Sequence, residues 1–337
     1  MLQSAISRLV ERENLTLEEA KAAMQEIMAG SATPAQMAAY LTALALKGET
    51  KPEILGSAGV VRENATKVLH HQEKIVDCCG TGGDGAFTFN ISTLVAFVLA
   101  ASGLAVAKHG NRSVSSKCGS ADLLQAAGVK LELTPEQVAR CIDQIGIGFL
   151  FAPLFHPATK NVAGIRKELG IRTIFNLLGP LVNPAGATHQ IIGVSSQNLT
   201  EVIAQVSSEL GTSKSWVVSC LANIDELTTV GQNKVSFHNN GTTQSFVLDP
   251  AQFGFRRAEK AELAGGDERE NLRIARQVLT GEKGAPRDTV LLNAAAGLVV
   301  AEKTSDLEAG ITLAEKMIDS GRALQKLEEL VEFSHKC

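Results

Sequence analysis

Between residues 77 and 120 the chain gathers groups that suit an anion. One loop reads Gly80-Thr81-Gly82-Gly83-Asp84-Gly85, and a second reads Lys108-His109-Gly110-Asn111-Arg112-Ser113-Val114-Ser115-Ser116, running on to Gly119 and Ser120. Glycines let backbone N–H groups approach a ligand with no Cβ in the way. Lys108 and Arg112 supply charge, while Asn111, Ser113, Ser115, Ser116 and Ser120 supply neutral donors. Asn90, with Thr88 before it, is placed to cap the helix that the apolar run 91–101 predicts, and that helix N-terminus aims partial positive charge at the same spot. A phosphorylated ligand is the chemistry these loops fit.

Gly80-x-Gly82-x-x-Gly85 also satisfies the dinucleotide-binding pattern. A nicotinamide site would place an acid about 20 residues on for the ribose hydroxyls, whereas here the second loop brings Lys108 and Arg112. Six cysteines and seven histidines show no zinc spacing. Cys118 lies in the second loop with no base beside it in sequence, and a small loop residue is the plainer reading. Asp225-Glu226 follows an apolar run at 216–220, and adjacent acids in a loop are ordinarily solvated.

The elements that position these residues follow from periodicity. The first 68 residues read as helices: Thr16-Leu17-Glu18-Glu19 is a capping box, Gly30 ends that helix, and Thr33-Pro34 opens the next. From about residue 74 short apolar strands alternate with amphipathic helices. The strands are expected at 74–76, 104–107, 129–133, 147–151, 190–194 and 216–220, with helices from Pro135 and Thr200. That alternation predicts an α/β fold, a small all-helical lobe plus a larger lobe with a mostly parallel central sheet, ligand loops collecting at the strand C-terminal ends. The expected division is a helical lobe over 1–68, joined by helices around 157–185, and an α/β lobe over 70–337. Residues 226–248, around Asn239-Asn240-Gly241, predict an antiparallel hairpin, and the last 70 or so residues read as helices.

Bulk properties exclude several classes. The chain has 337 residues, 45% hydrophobic and 20% charged, with a net charge of −4 and no long basic run, which argues against non-specific nucleic-acid binding. No apolar stretch approaches the roughly 20 residues of a membrane span, and charges interrupt the first residues, so a cytoplasmic protein is expected.

GTGGDG with TFNIST, then KHGNRSVSSKCGSAD, RKELGIRTIFNLLGPLVNPA over 166–185 and the Asp225-Glu226 pair together resemble the anthranilate phosphoribosyltransferase family of tryptophan biosynthesis. The resemblance runs in order over most of the chain. It implies transfer of the 5-phosphoribosyl group from 5-phosphoribosyl 1-diphosphate to the amine of anthranilate, in a homodimer formed through the helical lobe. For the donor it implies Gly80, Gly83, Asp84, Thr88, Asn90, Ile91, Ser92, Thr93, Lys108, His109, Gly110, Asn111, Arg112, Ser113, Val114, Ser115, Ser116 and Ser120. For the acceptor it implies Gly80, Asn111 and Arg166, and for two Mg2+ ions per subunit Ser92, Asp225 and Glu226. Asp84, once ionised, suits ribose hydroxyls or metal-bound water better than phosphate, and His109 either orients the amine or bonds within the loop. An arginine fork fits a carboxylate, and an aromatic amine is already neutral at pH 7, so no general base is assigned. Two alternatives are a pyrimidine nucleoside phosphorylase of the same fold and a non-catalytic nucleic-acid-binding relative.

Overall fold

The computed structural model describes residues 1–113, 117–239 and 241–337. The chain opens with α1 (Leu2–Val10), α2 (Leu17–Met28), α3 (Pro34–Lys47) and α4 (Lys51–Glu63). The starts of α2 and α3 have a local cause. The Thr16 hydroxyl accepts from the Glu19 N–H at 3.3 Å, while the Glu19 carboxylate accepts from the Thr16 N–H at 2.8 Å. Thr33 and Gln36 repeat that exchange ahead of Pro34.

Among the described residues the strands form one seven-stranded sheet. They are β1 (Val76–Gly80), β2 (Val106–Gly110), β3 (Ile147–Phe151), β4 (His189–Gly193), β5 (Lys214–Cys220), β6 (Asn233–Asn239) and β7 (Thr242–Leu248), in the order β3-β2-β1-β4-β5-β6-β7. The first five pair in parallel, and the β6-β7 hairpin adds antiparallel at one edge with Asn239 opposite Thr242. Asn240, part of the expected turn, lies outside the described residues.

Two expected strands end later than the apolar pattern implied. β1 runs on through Asp77, Cys78, Cys79 and Gly80, and β2 through Lys108, His109 and Gly110, because both are paired on two sides and continue until their glycines. The stretch 129–133 is not a strand. Its apolar residues Val129, Leu131 and Leu133 are buried, but their backbone joins no ladder and turns through a Leu133 N–H to Leu131 C=O bond.

Connecting helices cover both faces. They are α5 (Ile91–Ala101), α6 (Ser120–Ala126), α7 (Pro135–Ile145), α8 (Ala152–Phe155), α9 (Lys160–Leu169), α10 (Ile174–Leu178), α11 (Leu199–Glu209), α12 (Glu268–Leu279), α13 (Ala285–Val300), α14 (Leu307–Asp319) and α15 (Arg322–Lys336). Alternate strand residues go to opposite cores: Ile191, Trp216 and Val218 pack with α5 and α13, whereas Ile192 and Val217 pack with α11 and the N-terminal helices. Strands buried on both faces need such unbroken apolar runs. Val162 of α9 and Ile174, Phe175 and Leu177 of α10 share the second core with buried residues of α1 to α4.

Candidate functional site

After β3 the chain crosses back to lay β4 against the free side of β1. Such a reversal opens a crevice at the strand C-terminal ends. Two glycines face each other there, Gly80 ending β1 and Gly193 ending β4, in register as partners. Both are required by what lies over them. A Cβ on Gly80 would sit 2.3 Å from Asp225 Oδ2, and one on Gly193 would sit 1.5 Å from the Asp225 carbonyl oxygen. The bare strand ends therefore let the loop after β5 settle into the crevice.

Asp225 is fixed there by backbone. Its Oδ2 accepts from the Gly82 N–H at 2.6 Å, and its own N–H donates to Asp84 Oδ2 at 3.2 Å. Asp84 Oδ1 accepts from the Ala86 N–H at 3.0 Å. Glu226 is buried and accepts from the Ser92 N–H. Burial and the neighbouring Asp84 charge push the Asp225 carboxyl up to about 7, against the Gly82 N–H that favours its ionised form. Burial and Asp225 raise Glu226 well above the usual carboxylate range, with Lys108 pulling the other way. Among the described residues no three His, Cys, Asp or Glu side chains form a closed metal cage. Crowded, under-neutralised carboxylates with oxygen donors alone fit Mg2+, which keeps waters and shares substrate phosphates.

Lys108, 3% exposed, enters from β2 with its Nζ donating to the His109 carbonyl at 3.2 Å. Burial by itself would lower its pKa, but Cys78, Cys79, Asp77 and Glu226 around it raise it, so the ammonium stays charged. Asp77, fully buried, accepts from Asn183 Nδ2 at 2.9 Å and the His109 N–H at 3.3 Å. His109 Nδ1 lies 3.1 Å from the Gly179 carbonyl, which assigns the proton to Nδ1 and leaves Nε2 as an acceptor with no partner among the described residues. Burial holds this ring neutral, with its pKa pushed down to about 4. It lies 5.1 Å from the His156 ring, which burial lowers to about 3.

The second loop is stapled by Asp122, whose carboxylate accepts from the Ser113 N–H at 3.0 Å and the Gly119 N–H at 2.9 Å. Gly119 and Gly110 leave no room for side chains: added Cβ atoms would meet the Ser113 nitrogen at 2.5 Å and the Ser120 hydroxyl at 2.1 Å. Arg112 is already engaged, bonding Asp122 and Gln125 at 2.8 Å each and lying 5.7 Å over the Phe151 ring. The Asn111 carbonyl accepts from Ser120 Oγ at 3.3 Å. Val114, Ser115 and Ser116 lie outside the described residues.

Asn90 takes the N-cap position of α5 but makes no side-chain cap. Its amide instead ties the two loops, donating from Nδ2 to the Cys118 carbonyl at 3.1 Å and accepting at Oδ1 from Asn271 Nδ2 at 2.8 Å. Thr88 forms a bridge with Ala264 and makes no cap either. Thr93 and Ile91 are buried, the Ile91 side chain within the core of α5. Cys118 is pushed up to about 11 by burial, which argues against a thiolate nucleophile.

Opposite the loops stands Arg166 of α9, its guanidinium 5.2 Å over the Phe175 ring. Among the described residues the guanidinium has no hydrogen bond or ion pair, and burial lowers its pKa. Both loops, Asp225, Glu226 and Arg166 line one cavity of about 680 Å³, a volume suited to two small substrates.

Gly193, Asp122, Asp77 and Asn271 belong to the machinery around the site although the sequence analysis gave none of them a role. Asp122 carried a readable signal, standing three residues after Gly119 in capping-box spacing. The others act only across the fold.

The sequence matches two family models, "Glycosyl transferase family, helical bundle domain" over residues 3–65 and "Glycosyl transferase family, a/b domain" over 72–324. An anthranilate phosphoribosyltransferase of Acetivibrio thermocellus is 52% identical over 335 residues, 99% of this chain and 97% of the relative. The chain belongs to the anthranilate phosphoribosyltransferase family. Another member, from Methanocorpusculum labreanum, is 50% identical across 99% of this chain and 98% of its own. Among solved structures, the enzyme of Thermus thermophilus superposes with a TM-score of 0.92 at 44% identity, covering 98% of this chain and 99% of that one. The Saccharomyces cerevisiae enzyme in complex with PRPP and Mg gives 0.91 at 28% identity, covering 100% of this chain and 98% of that one. Membership accounts for the small helical domain beside an α/β domain.

Proposed function

We propose that this chain transfers the 5-phosphoribosyl group from 5-phosphoribosyl 1-diphosphate to the amine of anthranilate, releasing pyrophosphate, as a step of tryptophan biosynthesis. The observation that carries the reading is the joint lining of one cavity by an anion-shaped glycine loop, a buried acidic pair and an arginine whose guanidinium, stacked over Phe175, makes no ion pair among the described residues. Its relatives bear that activity in their names, and solved relatives hold PRPP with Mg or 4-fluoroanthranilate.

The loops 80–93 and 108–120 take the diphosphate and ribose, with Lys108 as fixed charge and Asn111 and Gly80 near both substrates. Ser115 and Ser116, with Val114, belong to this donor set on resemblance alone. Asp225, Glu226 and Ser92 hold Mg2+, two ions per subunit in this reading, and Mg2+ supplies neutralisation of the departing pyrophosphate. Arg166 receives the acceptor carboxylate, since a guanidinium already half desolvated over an aromatic ring binds a carboxylate bidentately at reduced further cost. No side chain needs to take a proton before attack, because the aromatic amine is neutral, and positioning with charge compensation carries the rate. The same reading places the helical domain over 1–68, with 157–185 joined to it, against an α/β domain over 70–337. It also makes the helical face a homodimer contact and the cytoplasm the working compartment; among the described residues no helix is long and apolar enough to cross a membrane.

A pyrimidine nucleoside phosphorylase would draw phosphate and a nucleoside into this cavity, and the matched relatives do not favour it. Anthranilate fluorescence separates the two: it should fall on addition of 5-phosphoribosyl 1-diphosphate with Mg2+ and stay constant with inorganic phosphate and a nucleoside. A constant signal with the diphosphate donor would refute the proposal.

A further inference from the structure

Arg172 stands just past the left-handed Gly170 that caps α9, on the segment that carries Arg166. Its Nη1 donates to the Gly83 carbonyl at 3.0 Å and to Ser195 Oγ at 2.5 Å. One guanidinium nitrogen thus bridges the turn after β1 to the turn after β4, 89 and 23 residues away. The aliphatic stem serves too. Gly83 has φ +68°, and a Cβ there would meet Asn176 Nδ2 at 3.5 Å and Arg172 Cγ at 3.6 Å, so the side chains of Arg172 and Asn176 wall the loop.

The charge reaches further than the hydrogen bonds. Arg172 favours the ionised form of Asp225, and also that of Glu49 in the turn between α3 and α4. A glycine-rich turn has high conformational entropy when unbound, and a restraint on its carbonyls removes freedom that a ligand would otherwise have to remove. With the Gly83 carbonyl held, the adjacent Gly82 N–H stays directed at Asp225.

We propose that Arg172 is a positioning residue that clamps the glycine loop onto the end of β4, keeping Gly82 to Asp84 shaped around Asp225 for the phosphorylated donor. The proposal rests on the donor reading above and assigns Arg172 no contact with the reacting atoms. Arginine is suited to this task because both bonds leave Nη1, whose two N–H groups are fixed in the guanidinium plane, whereas a lysine ammonium matches the charge but rotates freely about its stem.

The test uses the full chain with Arg172→Gln, Arg172→Lys and Ser195→Ala. Titration calorimetry with 5-phosphoribosyl 1-diphosphate and Mg2+ should show donor affinity about tenfold weaker in Arg172→Gln, partly restored in Arg172→Lys, and a few-fold weaker in Ser195→Ala. The donor KM should rise in step while the acceptor KM stays within about twofold, and amide hydrogen exchange at residues 81–86 should accelerate. Unaltered donor affinity in Arg172→Gln would overturn the clamp. So would equal loss for both substrates with a lowered thermal midpoint, which marks a purely structural arginine. If the unmodified chain binds no donor, the donor reading fails by itself, and amide exchange in Arg172→Gln still decides whether the loop is held: unchanged exchange removes the clamp as well.

Discussion

The N-terminal helices and the crevice at the end of the sheet are built on opposite length scales. In the helices, the bonds that open α2 and α3 join residues three apart, Thr16 with Glu19 and Thr33 with Gln36. In the crevice, the bonds that set the geometry join Gly82 to Asp225 across 143 positions and Asn90 to Asn271 across 181. Local encoding makes the helices robust one at a time. Long-range encoding makes the site depend on the whole α/β domain being in place, so equal chemical changes should cost stability in the first region and function in the second.

Replacing both Asp225 and Glu226 by Ala should break the contrast most sharply. Turnover with Mg2+ should fall on the order of a thousandfold, because electrostatic compensation of the leaving group carries the rate. Stability without Mg2+ should hold or rise, since two buried carboxylates that repel each other are removed. Thermal melts beside a magnesium titration of activity measure both. A melting temperature that drops with turnover would make the pair structural.

Gly193→Ala should come next, by forcing a methyl into the space of the Asp225 backbone. Overpacking costs about 1–3 kcal/mol, and Asp225 can only yield by leaving its Gly82 bond. Activity should fall about a hundredfold at saturating substrate, with a smaller loss of melting temperature. Steady-state kinetics at high donor and Mg2+ would show it, and near-native activity would mean the crevice loop has slack.

Arg166→Ala should act on one substrate alone. Loss of a charge-assisted fork to a carboxylate costs about 2–3 kcal/mol, so the acceptor KM should rise by a factor of about 30 to 160 while the donor KM stays near its starting value. An unaltered acceptor KM would send the carboxylate elsewhere in the cavity.

How much of this was readable beforehand follows the same division. Capping boxes, proline at the first helical turn and glycine ends give the helical boundaries, since those signals and their partners lie in one stretch of chain. The two ligand loops were legible because glycines, hydroxyls and amides cluster locally. Gly193 looked like any strand-end glycine, because its constraint comes from a carbonyl 32 positions later, the difference between 225 and 193. Asn90 was legible as a cap and turned out to be a cross-link, since its partners Cys118 and Asn271 compete better for its amide than the first turn of α5. The run 129–133 has strand-like apolar residues, and burial alone accounts for them: Val129, Leu131 and Leu133 pack into the core without joining the sheet, whose last strand on that side is β3.

Acid should probe the crevice without any mutation. His109 and His156 are held at about 4 and about 3, against an ordinary value near 6.5. Lowered folded-state values mean the unfolded chain binds more protons below pH 6.5, so their neutral burial stabilises fully above that pH and is lost as pH falls towards 4 and then 3. Each can cost on the order of a few kcal/mol across that window. Melting temperature measured from pH 7 to pH 4 should fall, and His156→Gln should flatten part of the decline. A chain equally stable across the window would show both rings reaching water.

The helical domain supplies the smallest effect and the control for all the others. Thr16→Ala and Thr33→Ala each remove one side-chain acceptor from a helix start and leave Glu19 or Gln36 to bond the N-cap backbone alone. Each should cost about 1 kcal/mol of stability. Neither threonine lines the cavity, so kcat and both KM values should stay within about twofold at a temperature well below the melt. Denaturant titration with parallel kinetics reads the two quantities separately. If either substitution lowered donor affinity as much as it lowered stability, the two regions would be one cooperative unit, and the argument that local and long-range bonds divide stability from function would fail.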